Sequence, residues 1–171
     1  FLAFYCPKKL YSLLKPAVDL LAGIPSIVYG FFGLVVIVPV IQQVFHTGGK
    51  GILTASILLG IMILPTIIGV TESSLRAVPE SYYEGSLALG ATKERTIFRS
   101  VMVAAKSGVM SGVILGIGRA IGETMAVIMV AGNQAAIPES ILSGVRTLTA
   151  NIVLEMAYAA DLHRDALIAT A

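Results

Sequence analysis

Cysteine, histidine and charge are all scarce in this chain. Cys6 is the one cysteine among 171 residues. It excludes an internal disulfide or a cysteine-based metal cluster, and the expectation is a lone buried thiol. The two histidines, His46 and His163, stand too far apart for metal-ligand spacing. Charged residues make up 13% of the chain, where soluble domains carry about a quarter. A net charge of +2 leaves no basic footprint for a nucleic acid. Acids and bases do not cluster, so no enzyme site and no cofactor are expected. "HTGGK" (His46 to Lys50) is not a phosphate loop, because Val44 stands where the first glycine is needed.

What is abundant is apolar. The chain is 56% hydrophobic, with a mean hydropathy of +0.88. A bilayer crossing takes roughly 20 apolar residues, and the runs that reach this length predict spans over 17–41, 52–70 and 101–131. Glycine and proline inside them (Gly23, Pro25, Gly30, Gly33, Pro65) are tolerated in bilayer helices whose neighbours satisfy the freed backbone groups. The expected fold is all-α, a polytopic transmembrane bundle. Phe1 opens on an apolar segment, and "ALIATA" begins another, so a fragment of a longer subunit is expected. Basic residues set the orientation. Arg76, Lys93, Arg95 and Arg99 fill the 71–100 connection, while "QQVFHTGGKG" holds only Lys50. Cytoplasmic loops collect Lys and Arg, so 71–100 is expected inside and the 132–165 loop outside. A multi-pass membrane protein, with lipid as its solvent, follows.

The inner connection is too regular to be a plain turn. Pro79 suits a helix start, Gly90 a left-handed helix end, and Thr92 the cap of a second helix. A helix this short needs something to pack against. It lies on the membrane surface, or it is a knob inserted into a cytosolic partner; sequence alone leaves both open.

The run "GIGRAIGETMAV" (Gly116 to Val127) carries a full positive and a full negative charge inside apolar sequence. On a continuous helix Gly108, Gly112, Gly116, Arg119 and Glu123 share a sector of about 80°. Small residues every fourth position let helices approach closely, so this stripe is expected to face protein or a cavity. A charge at the bilayer centre costs from about 3 to above 10 kcal/mol, which excludes lipid exposure. Three readings remain: a structural salt bridge, a polar lining of a solute pathway, or a proton relay, the last disfavoured because Arg does not deprotonate. In a pathway, the guanidinium fork fits oxyanions, and Glu123 would keep it from holding the anion too tightly.

Glu84, Gly85, Ser86, Gly90 and Ala91 resemble the "EAA…G" loop of ABC-importer permeases, with Gly85 and Ser86 at the alanine positions and Val103 where a proline is usual. "LAGIPSIVYGFFGLVV" (Leu21 to Val36), that loop, "GIGRAIGETMAVIMVAGN" (Gly116 to Asn133) and "RTLTANIVLEM" (Arg146 to Met156) occur in this order. Together they resemble the permease subunits of the phosphate ABC importer, closer to its PstC type than to its PstA type. The resemblance implies a type I importer permease core, MetI-like, in the plasma membrane of a prokaryote. It also implies a PstA-type partner permease, PstB-type ATPase subunits that carry ATP hydrolysis and dock on the Glu84 loop, a PstS-type external binding protein, and inorganic phosphate as solute. A permease for another oxyanion or small solute, or an intramembrane scaffold or sensory subunit, is the rival reading. On the outer side, Leu148, Ile152, Met156 and Ala159 keep a helical spacing that suits a helix resting on the membrane surface, or one that docks the binding protein.

Overall fold

Proline decides where the first apolar run breaks. In the computed structural model, which describes residues 1–170, helix α1 (Lys8–Gly23) ends before Ile24, and Pro25 stands extended at the cap of the next helix with φ −59° and ψ 141°. The residue before a proline is pushed out of the helical region, so the chain restarts rather than continuing. The span expected from residue 17 therefore divides, and α2 covers Ser26–Phe45. Inside α2 the turn Gly33–Ile37 is π-helical, with Val38 N–H donating to Gly33 O five residues back. Pro39 follows at once. It has no N–H and its ring crowds the preceding turn, which accounts for the widening. His46 closes α2 in the left-handed conformation, φ 53°.

Helix α3 (Ile52–Arg76) and α2 are each long and apolar enough to cross a membrane. The third apolar run is not one helix. It forms α5 (Lys93–Ala104), α6 (Lys106–Ile121), bent from α5 by 70°, and the short α7 (Met125–Val130). The bend falls at Ala105, which leaves the helical region at φ −83°, ψ 1°. α6 stops before Gly122. Glu123 Oε1 then accepts from Ala126 N–H, filling one of the orphan donors at the start of α7. Between α3 and α5 stands α4 (Glu80–Ala88), and α8 (Leu148–Glu155) and α9 (Asp161–Thr170) follow α7.

The helices fall into two compact units. The first comprises Phe1–Gly23 and Ile63–Arg119. In it the glycines of α6 lie against α3. A Cβ on Gly112 would come 3.2 Å from Val70 Cβ, and one on Gly116 would come 2.7 Å from Ile67 Cδ1. A Cβ on Gly108 would overlap the Ser74 hydroxyl. Cys6 is half-buried rather than sealed in a core, because it belongs to a short surface turn in which its N–H bonds to Phe1 O.

The second unit comprises Ile24–Met62 and the chain from Ala120 onward. Here α2 packs on α7 and on the first part of α3. Gly30 meets Ala126 and Met129, Gly33 meets Leu58 and Val130, and Leu58, Met62, Val130 and Ala131 are fully buried. Among the described residues one parallel bridge, Gly132 to Val145, ties the segment after α7 to the end of that helix, and Gly51, Ile52 and Leu53 donate to Val130, Ser143 and Ile141.

Candidate functional site

Arg119 lies in the last turn of α6 and is half-buried. Its Nη1 donates to Thr66 Oγ1 of α3 over 3.2 Å. Thr66 follows Pro65 directly. Within the first unit, and among its described residues, no carboxylate pairs with Arg119. One donor of the five on the guanidinium is therefore engaged by a neutral hydroxyl, which leaves its charge uncompensated there.

Glu123 belongs to the second unit and lies beyond the end of α6, so the continuous helix that would place it one turn above Arg119 is not formed. The physical reason is local. Gly122 is a weak helix residue, and the Glu123 carboxylate takes a backbone N–H of α7 instead. Its backbone oxygen also accepts from the Thr149 hydroxyl at 3.4 Å. Around Glu123 a cavity of about 180 Å³ is lined by Ser56, Leu59, Val127, Thr147 and Thr149 among others.

The Glu84 loop is built by capping. Pro79 stands at the start of α4, and Gly90 ends it at φ +83°. Gly90 N–H donates to Leu87 O and Ala91 N–H to Ser86 O, the bond pair of a Schellman motif. Thr92 Oγ1 then accepts from Arg95 N–H and caps α5. Ser86 is more than a small residue, because its Oγ accepts from Thr96 Oγ1 at 3.0 Å and so fastens α4 to α5. Ser100 Oγ donates to Tyr82 O nearby. Glu84, Gly85 and Leu89 stay exposed, Leu89 at 91%.

Two polar clusters escape sequence reasoning. Glu72, near the end of α3, is 4% exposed and draws Tyr11 and Lys15 of α1 together with Arg76. Its hydrogen bond raises the Tyr11 phenol above its ordinary value, and the Asp19 carboxylate does the same for the Lys15 ammonium. Between α7 and the end of α8, Arg146 donates to Asn133 O, Asn151 Oδ1 and Glu155 Oε1. The sequence signal for the first was the pair Glu72 and Arg76, four apart at a span end. For the second it was the lone basic residue heading "RTLTANIVLE".

Residues 1–161 match the family described as binding-protein-dependent transport system inner membrane component. The chain is 45% identical over 148 residues to the probable ABC transporter permease protein YqgH of Bacillus subtilis, covering 86% of this chain and 48% of that protein. It is 37% identical over 190 residues to the phosphate transport system permease protein PstC of Mesorhizobium japonicum, covering 99% of this chain and 58% of that one. For PstC of Xylella fastidiosa the identity is 36% over 188 residues, with 98% and 58% covered. The chain thus spans about half the length of the curated relatives it matches. No solved structure matches.

Proposed function

Because this chain belongs to the family of binding-protein-dependent transport system inner membrane components, we propose that it is part of a permease subunit of an ATP-driven phosphate importer. The observation that carries this reading is the likeness, over 98–99% of the chain, to proteins named PstC. The geometry at Arg119 supports it. A half-buried guanidinium held by a hydroxyl keeps donors and charge for a passing oxyanion, which a salt bridge would have consumed.

In this reading α2, α3 and the bent pair α5–α6 cross the membrane, and the 71–100 connection faces the cytoplasm. Glu84, Gly85, Ser86, Gly90 and Ala91 form the element that engages PstB-type ATPase subunits, on which ATP is hydrolysed. Arg119 and Glu123 line the pathway shared with a PstA-type permease, and a PstS-type protein delivers phosphate from outside. Gly108, Gly112 and Gly116 keep α6 close to α3, so that Arg119 reaches Thr66.

The test is reconstitution of the complete subunit with its partner permease, ATPase and binding protein in proteoliposomes. ATP-driven uptake of phosphate is expected to exceed that of sulfate or small organic solutes. An intact complex that prefers another solute, or moves none, refutes the proposal.

A further inference from the structure

Glu72 is the one charged residue that is buried among those described. An isolated carboxylate in such a place is costly unless donors compensate it. Here they come from two helices. Tyr11 Oη donates to Oε1 at 2.7 Å, Arg76 Nε donates to the same oxygen at 2.7 Å, and Lys15 Nζ lies 3.3 Å from Oε2. Arg76 then leads onward. Its guanidinium covers the Tyr11 ring at 4.7 Å, and its Nη2 donates to Leu2 O at 3.3 Å. That oxygen belongs to the turn that precedes α1, and the same turn reaches α4. Phe4 stacks on Tyr83 with ring centroids 6.1 Å apart, and Lys93 Nζ lies over the Tyr5 ring at 5.2 Å. Beneath these contacts the space is hollow. A cavity of about 680 Å³ is lined by Phe4, Arg76, Glu80, Tyr83, Glu84 and Lys93 among others. The Phe4–Tyr83 stack and the Lys93–Tyr5 contact thus tie the N-terminal turn to α4 and to the start of α5.

We propose that Glu72 is a positioning residue for α4. By clamping α1 and orienting Arg76, it holds the N-terminal turn in place, and the turn braces α4 through Phe4 and Tyr83. The consequence for transport rests on the proposed function: a braced α4 transmits the ATPase stroke to α3, and an unbraced one lets ATP turn over without moving solute. Glu72→Ala is a usable probe because the groups it leaves behind are not enclosed by protein. The Arg76 side chain is 47% exposed and that of Lys15 25%, so no charge is stranded in a dry site.

The experiment uses the complete subunit assembled with its partners in lipid nanodiscs. Spin labels are placed at Leu13→Cys on α1 and Ser81→Cys on α4, in a Cys6→Ser background, and the distance between them is read by pulsed electron resonance. Phosphate moved per ATP hydrolysed is measured on the same variants in proteoliposomes. For Glu72→Ala the distance distribution is expected to widen and the transport-to-ATP ratio to fall about fivefold or more. Glu72→Gln, which keeps shape but not charge, is expected to fall between. An unchanged distribution, or an unchanged ratio in an assembled complex, overturns the proposal. Should Glu72→Ala not assemble, Tyr11→Phe is read on both measurements by the same criteria. The distance needs no solute, so failure of the phosphate reading and failure of the brace are seen separately.

Discussion

Thr66 receives the Arg119 guanidinium without neutralising it, the two atoms standing 3.2 Å apart where α3 meets α6. A hydroxyl orients the fork and leaves its charge available. A hydrogen bond to a charged group contributes about 1.5 kcal/mol or more. Thr66→Val is therefore expected to lower ATP-driven phosphate uptake by about tenfold, and Arg119→Ala to lower it further. Arg119→Lys, with the charge kept and the fork lost, should fall between. Uptake by assembled complexes is the measurement, and an Arg119→Ala complex with unimpaired uptake would remove the residue from the pathway.

The glycines of α6 make a second prediction about packing alone. A side chain on Gly116 would meet Ile67 at 2.7 Å, whereas nothing lies within 4 Å of a Cβ on Gly118. Overpacking of this kind costs about 1–3 kcal/mol. Gly116→Val is expected to lower the thermal unfolding midpoint in detergent, and Gly118→Ala to leave it in place. Equal midpoints for both would mean that α6 and α3 do not meet along this stripe.

The two glycines of the Glu84 loop should respond in opposite directions. Gly90 needs its left-handed φ of +83°, so Gly90→Ala costs about 1–2 kcal/mol. Gly85 lies inside α4 with nothing near a Cβ, and Gly85→Ala should stabilise the helix by up to about 1 kcal/mol. Hydrogen exchange across α4 reads both, faster in the first variant and slower in the second.

Arg146 ties three backbone and side-chain acceptors, the shortest at 2.9 Å to Glu155. Arg146→Ala is expected to destabilise the segment that joins α7 to α8 by about 1–3 kcal/mol. The readout is proteolytic cutting between Gly132 and Thr147. A cutting rate equal to that of the unaltered protein would show that the loop stands without this residue.

Local chemistry was the most legible part of the sequence. Pro79, Gly90 and Thr92 act on their immediate neighbours, and α4 and α5 begin and end where these residues stand. The membrane character was equally open, being a matter of composition. Breaks in the spans were harder to see. Counting apolar residues treats Pro25 as a tolerated interruption, while in the structure it starts a helix, and the count has no term for the bend at Ala105 or the restart after Gly122. The cluster at Glu72 was illegible for another reason. Tyr11 lies 61 residues away, and only the folded chain brings a phenol, an ammonium and a guanidinium to one carboxylate. Arg119 and Glu123 are visible as charges in oil, but their separate partners depend on where α6 stops.

The wide turn in α2 has a geometric effect that reaches the length of that helix. Tyr29, Gly33, Ile37 and Ile41 are all buried and recur every fourth residue. In a plain α-helix each such step overshoots a full rotation by about 40°, and three steps would swing the stripe through about 120°. The one residue lodged extra at Gly33–Ile37 takes back most of that angle. The turn thus works as a phase corrector, keeping Tyr29 and Ile41 on one flank of a helix that also carries a proline. Tightening that turn to a plain α-helical one with every residue kept would rotate the half ending at Phe45 by about 100° and turn Ile41 away from the flank that Tyr29 occupies.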